Sequence, residues 1–245
     1  SYCAGFRKST DGGETWVGRQ VGPYWPWDAV VALAMTPTGF SPATIYAVGN
    51  KDVYKSTDLG ETWEPTGTPS ISGGSPWALA VDPNNPNVIY VGTHYYKGRF
   101  YKSMDGGNTW SIKANGLPPD CPSSIVIDPR NSDVYVGLSE GGVYKSTDGA
   151  ESWNFSSQGM INTFIEGLAV DPTSSDTAFA VIKGDGHYLA KTTNGGNSWD
   201  YLVGSPTDLG TVTIDPQNPS TIWVGDGMDY TGVCSVYDST DGGQS

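Results

Sequence analysis

The apolar positions of this chain fall into short runs separated by turn residues, and the runs recur in a fixed order. A small, apolar run comes first: Ala78–Val81, Ser124–Ile127, Gly167–Val170 and Thr211–Ile214, each closed by an Asp-Pro pair that begins at Asp82, Asp128, Asp171 or Asp215. Asp-Pro starts a turn. A second run, β-branched and aromatic, follows at Val88–Gly92, Val134–Gly137 and Thr221–Gly225. The third is Val-Tyr-Lys-Ser or a relative of it, as at Val53–Ser56 and Val143–Ser146, and it leads into a polar turn. A fourth opens at a tryptophan. Many short strands on an even spacing, with turn chemistry between them, predict an all-β propeller or barrel. No segment carries a helical period of useful length.

The polar turn is itself a repeat. Copies of Ser/Thr-x-Asp/Asn-x-Gly/Ala-x-Thr/Ser-Trp start at Ser9, Ser56, Ser103, Ser146 and Thr192, and a last copy at Ser239 runs as far as Ser245. The steps between these starts are 47, 47, 43, 46 and 47 residues, one supersecondary unit per step. A hydroxyl and a carboxylate two residues apart both accept hydrogen bonds from the backbone of a tight turn. The following glycine takes a positive φ without steric cost, and the tryptophan packs under the hairpin against a neighbouring unit. Asp11, Asp58, Asp105, Asp148, Asn194 and Asp241 therefore read as structural. The spacing lacks the alternating oxygen ligands of an EF-hand loop, so calcium binding is the weaker reading.

This pattern resembles the Asp-box, or BNR repeat, of sialidases, family 74 xyloglucanases, sortilin-type receptors and a photosystem assembly factor, all β-propellers. The resemblance covers essentially the whole chain and implies a β-propeller of four-stranded antiparallel blades, a single domain over 1–245. It says little about function, since those relatives do unrelated things. Residues 29–67, 77–115, 123–160 and 165–203 account for whole blades. The strands from 210 to 237 either join the strand that follows Trp16, closing a ring of about five blades and removing exposed sheet edges, or belong to a fragment of a larger propeller. A further alternative completes open edges by strand addition between copies.

Composition suits a secreted, turn-rich β domain: 33 Gly, 17 Pro and only 16% charged residues in 245. The net charge of −13 argues against nucleic acid and anionic membrane as partners, both of which favour basic patches. No apolar run approaches the length of a membrane span, so membrane insertion is not expected. Cys3 and Cys234 occupy nearly equivalent strands of the first and last repeats, so a Cys3–Cys234 disulfide is one reading and buried free thiols the other. Cys121 is left over in both.

The resemblance also places ligand sites on the face away from the box hairpins. That face is built from the loops between second and third strands and from the connections between blades. The first set supplies His94, Tyr95, Tyr96, Arg99, Asp185, His187, Asp226, Asp229 and Tyr230; the second supplies Trp25, Trp27, Asp28, Trp77, Phe164 and Glu166. Flat aromatic rings stack on the apolar faces of sugars while carboxylates take their hydroxyls. This mixture points to polysaccharide or oligosaccharide recognition. Two carboxylates at suitable separation could also run glycoside hydrolysis. Asp226 follows a second strand, where the family 74 resemblance implies a catalytic aspartate, though the family's longer Asp-Ile-Gly-Gly signature is not reproduced. Asp28, Asp185 and Asp229 are its candidate partners, none of them favoured by spacing. Sialidase chemistry is rejected, because Arg7, Arg19, Arg99 and Arg130 are the only arginines and too few share one face to clamp a carboxylate. No cofactor and no metal site is expected. The alternatives to a glycan-recognising propeller, extracellular and with or without glycosidase activity, are a protein-interaction propeller and a structural subunit of a surface or filament assembly.

Overall fold

The computed structural model describes residues 6–21, 30–37, 39–49, 52–67, 74–94, 98–161, 163–184, 188–226 and 235–244. It divides into two compact units, Ser1–Ile112 and Lys113–Ser245. Both are all-β, and every paired strand is antiparallel to its neighbour.

The first unit opens with a hairpin of β1 (Phe6–Lys8) and β2 (Val17–Arg19). A four-stranded meander follows: β3 (Ala32–Met35), β4 (Ile45–Val48), β5 (Val53–Ser56) and β6 (Glu64–Pro65). The next meander is β7 (Ser75–Val81), β8 (Ile89–His94), β9 (Phe100–Ser103) and β10 (Ser111–Ile112). The second unit repeats the pattern in β11 (Pro122–Ile127), β12 (Val134–Leu138), β13 (Gly142–Ser146) and β14 (Asn154–Phe155). It does so again in β15 (Phe164–Val170), β16 (Ala178–Lys183), β17 (Tyr188–Thr192) and β18 (Asp200–Tyr201). Its last sheet has three strands among the described residues, β19 (Leu209–Ile214), β20 (Ile222–Asp226) and β21 (Val236–Ser239). The strand after Trp16, which the sequence offers as a partner for this last sheet, is β2, and its hydrogen-bonded partner is β1.

These sheets are propeller blades. Within each unit the first strands of successive blades lie against one another, β3 on β7, β11 on β15 and β15 on β19. The blades therefore converge on their first strands. Ser123 Oγ contacts the carbonyl of Ile165 at 2.5 Å, and Ser124 Oγ accepts the amide of Leu168 at 3.1 Å, tying two inner strands together.

The second strand of an inner blade is apolar through its middle because neighbours cover both of its faces. In β16, Ala178, Ala180 and Ile182 pack with Tyr135 and Val143 of the preceding blade and with Ile165 of their own. The alternate residues Phe179 and Val181 pack with Leu209, Val212, Ile222 and Val224 on the other. The period of two that usually separates a core face from a wet face here separates two cores. In the first unit Tyr46, Val48, Val53, Leu79, Ile89 and Val91 form the equivalent layer between its two whole blades.

The hairpin after each third strand closes on its own side chains. The hydroxyl at the start of the motif lies 2.7–2.9 Å from the Asp or Asn Oδ1 two residues on. That same Oδ1 accepts a backbone amide at 2.8–3.0 Å in all six copies. In four copies Oδ2 takes the hydroxyl of Thr15, Thr62, Thr109 or Ser152 at 2.5–2.6 Å. These bonds favour the charged carboxylate. The Thr15 hydroxyl, then that of Ser9, holds Asp11 at about 2, and Thr109 and Ser152 do the same for Asp105 and Asp148, each at about 2. Asp58 is lowered too, chiefly by Thr62. Asn194 keeps the geometry without a charge, its Nδ2 donating to Ser198 Oγ at 2.8 Å.

Adjacent blades are then latched through this hairpin. Lys145 Nζ donates to the carbonyl of Gly195 at 3.2 Å, and Lys191 Nζ to that of Gly242 at 3.0 Å. Each ammonium also lies over an aromatic ring of its own blade, 4.9 Å from Tyr135 and 5.2 Å from Phe179. Trp153 and Trp199 are buried and donate Nε1–H to the backbone of Lys113 and Ser156, at 3.0 and 2.7 Å. Trp16 is instead 55% exposed and bonds within its own turn, to Gly13 O at 2.9 Å. Gly196 shows why glycine ends the turn: its φ is +87° and an added Cβ would lie 2.3 Å from Ser156 Oγ. Ala150 takes the same place in the fourth copy at φ 70°, fully buried.

Candidate functional site

The end of each blade away from these hairpins is built differently. There the first strand carries a bulge at one position in four blades: between Pro76 and Ala78, Pro122 and Ser124, Ile165 and Gly167, and Leu209 and Thr211. A bulge inserts one residue without a cross-strand partner and re-aims its side chain. The residues so placed are Trp77, Ser123, Glu166 and Gly210. The scaffold thus repeats while the side chain it presents changes from blade to blade.

Several residues expected in connecting loops prove to be strand residues. Trp77 lies inside β7 and Phe164 and Glu166 open β15, because the bulge lets the inner strand begin earlier than its apolar run suggests. His94 is the last residue of β8 and Asp226 the last of β20.

In the first unit Trp77 is 43% exposed and its ring stands 5.3 Å from that of His94, at an interplanar angle of 36°. The two come together because Ser75 pairs with His94 across the strands. Arg99 closes the base of the loop that follows: its carbonyl accepts the Thr93 amide and its own amide donates to Thr93 Oγ1, both at 2.9 Å.

In the second unit Phe164 and Glu166 are joined by a lysine of the neighbouring strand. Lys183 is the cross-strand partner of Phe164. Its Nζ lies 3.0 Å from Glu166 Oε1 and 5.3 Å from the centre of the Phe164 ring. Asp226 Oδ2 accepts the amide of Ser235 at 2.9 Å, while the Asp226 amide donates to the Ser235 carbonyl at 3.0 Å. Its carboxylate therefore holds the two ends of one loop together. Asp120 has a similar task where the chain enters the β11–β14 blade: Oδ1 takes the Cys121 amide at 2.6 Å and Oδ2 that of Glu140, in the β12–β13 turn, at 2.8 Å. Cys121 is a free, half-buried thiol.

Trp25, Trp27, Asp28, Tyr95, Tyr96, Asp185, His187, Asp229 and Tyr230 lie outside the described residues, as do Cys3 and Cys234. Among the described residues no three His, Cys, Asp or Glu side chains gather as a metal site would need. Lys183 was legible only through strand register, since it becomes a neighbour of Glu166 once β15 and β16 are paired across the bulge.

Known proteins bear on this arrangement. A xyloglucanase from Paenibacillus sp is 36% identical over 134 residues, 47% of this chain and 12% of the relative. The crystal structure of the GH74 xyloglucanase from Xanthomonas campestris matches with a TM-score of 0.69 at 21% identity, covering 88% of this chain and 37% of the other. The chain is a β-propeller that resembles the GH74 xyloglucanases. YCF48 bound to D1 peptide also shares the propeller fold, at a TM-score of 0.66 and 17% identity, over 97% of this chain and 72% of that one. No family model matches the chain. The matched segments span only about a tenth of the length of the curated relatives, 12% of the Paenibacillus protein.

Proposed function

We propose that this chain is a glycan-recognising, glycoside-hydrolase-like propeller that meets neutral polysaccharide outside the cell. The observation that carries this reading is the 36% identity to a xyloglucanase, together with an exposed tryptophan placed by a bulge on the end of the blade away from the box hairpins. Trp77 offers a flat apolar ring to a pyranose face. In the Lys113–Ser245 unit, taken by itself, Glu166 and Lys183 offer an acceptor and a donor for hydroxyls, already oriented by their ion pair and so ordered at lower entropic cost on binding. Polymers of this kind are met outside cells, which is the ground for an extracellular location.

Binding is the part of the relatives' activity that this reading assigns. Hydrolysis would need an acid and a second carboxylate flanking the scissile bond. Asp226 spends one oxygen on the Ser235 amide, which suits a loop-holding role. The test is retardation in gels containing soluble xyloglucan. Trp77→Ala is expected to weaken retardation about tenfold, the scale of one lost stacking ring, with the melting temperature unchanged. Equal mobility of Trp77→Ala and the parent chain in xyloglucan gels would remove Trp77 from the site. Reducing-sugar release that survives Asp226→Asn would clear that residue of catalysis.

A further inference from the structure

A concavity in the Lys113–Ser245 unit lies on the outer half of the blade formed by β15 to β18. It has a volume of about 640 Å³ and is lined by Ile161, Tyr188, Tyr201, Val203 and Thr207, with Gly184 at its edge. That is within the range of roughly 300–1,000 Å³ typical of small-ligand sites. Tyr188 opens the third strand and Tyr201 closes the fourth, so both stand at the end away from the box hairpin. Their rings meet edge to face, 5.6 Å apart at 85°. The Ile161 amide donates to the Tyr201 hydroxyl at 2.9 Å, tying the connection that enters the blade to its outermost strand.

Single exposed apolar residues are ordinary on protein surfaces. Here they converge: Ile161 is 92% exposed, Val203 96% and Tyr188 41%, around one cleft. None of the described residues that line it carries a charge at neutral pH, although the chain bears −13 overall. A charged ligand would find no counter-ion among these described residues. An acyl chain would want an enclosed channel, whereas this cleft opens to solvent. A neutral pyranose matches both halves of the lining, with one apolar face for a tyrosine ring and hydroxyls for Thr207, Ser205 and the exposed backbone.

We propose that this cleft is an outer glycan subsite that stacks a neutral sugar unit on Tyr188, so that a polysaccharide crosses the blade from β15 to β17 and β18. The inference rests on the glycan-binding reading above and adds a site that the inner-strand residues do not supply.

The experiment is saturation-transfer NMR on the whole chain with a neutral xyloglucan heptasaccharide as probe, in the parent and in Tyr188→Ala, Tyr188→Phe and Trp77→Ala. Support is transfer in the parent, at least tenfold weaker affinity in Tyr188→Ala with an unchanged melting temperature, and retention in Tyr188→Phe, which keeps the ring. Unchanged affinity in Tyr188→Ala, with loss in Trp77→Ala, overturns the outer subsite and leaves glycan recognition standing. Absence of transfer in the parent overturns both. Because a tyrosine exposed at a cleft edge can be truncated without unfolding, a melting temperature lowered by several degrees in Tyr188→Ala would also count against the proposal, marking the residue as part of the packing.

Discussion

The two ends of each blade teach different things. At the box end, six hairpins place the same donor against the same acceptor within a few tenths of an ångström, and an asparagine can replace an aspartate without moving the turn. At the other end, four bulges present Trp, Ser, Glu and Gly from one backbone position. Repetition with closed hydrogen bonding marks a scaffold, whereas a constant backbone with changing side chains marks a surface free to specialise.

The contrast breaks most visibly in stability. Trp199→Ala should cost about 3–5 kcal/mol, since a buried ring and its hydrogen bond to Ser156 are both lost. Chemical denaturation would measure it, and a cost below about 1 kcal/mol would deny the box tryptophan its role between blades. Removing a motif hydroxyl, as in Ser146→Ala, leaves the Ala150 amide without its acceptor and should cost about 1–3 kcal/mol. Val203→Ser at the other end should stay within about 0.5 kcal/mol of the parent.

Acid sharpens the same comparison. Asp11, Asp105 and Asp148 sit near 2 when folded, against an ordinary value of 3.8, so they stabilise the fold above about pH 4 and that contribution disappears as pH falls through about 2. Asp148→Asn should copy the uncharged Asn194 hairpin, keep the melting temperature at pH 7 within a few degrees, and flatten the loss between pH 4 and 2. An unaltered acid profile would show that these carboxylates do not govern acid unfolding.

Much of the fold was readable from the residues, and the reason is redundancy. Asp-Pro after the first strand, Val-Tyr-Lys-Ser in the third and Trp at the fourth each recur, so an error in one copy is corrected by the next. The four whole blades accordingly fall within a few residues of the ranges read from the pattern. The candidate site lacked that redundancy. Trp77 and Glu166 were assigned to connections because a bulge hides one residue of strand from any period-of-two count. Lys183 meets Glu166 and Phe164 only through the pairing of β15 with β16. Tyr201 gave no signal at all, since the two-residue strand that carries it is fixed by its partner β17 and not by its own composition.

The alternating sides of β16 have a last consequence. Phe179 and Val181 fill one layer while Ala178, Ala180 and Ile182 fill another, so the strand is a shared wall between compartments of unequal girth. Sliding it by a single residue would thrust a phenylalanine into the space of an alanine on one side and open a void on the other. Misregistered folding intermediates are thereby penalised twice over, which leaves the turns at the blade ends able to change in length and chemistry without putting the threading of the chain at risk.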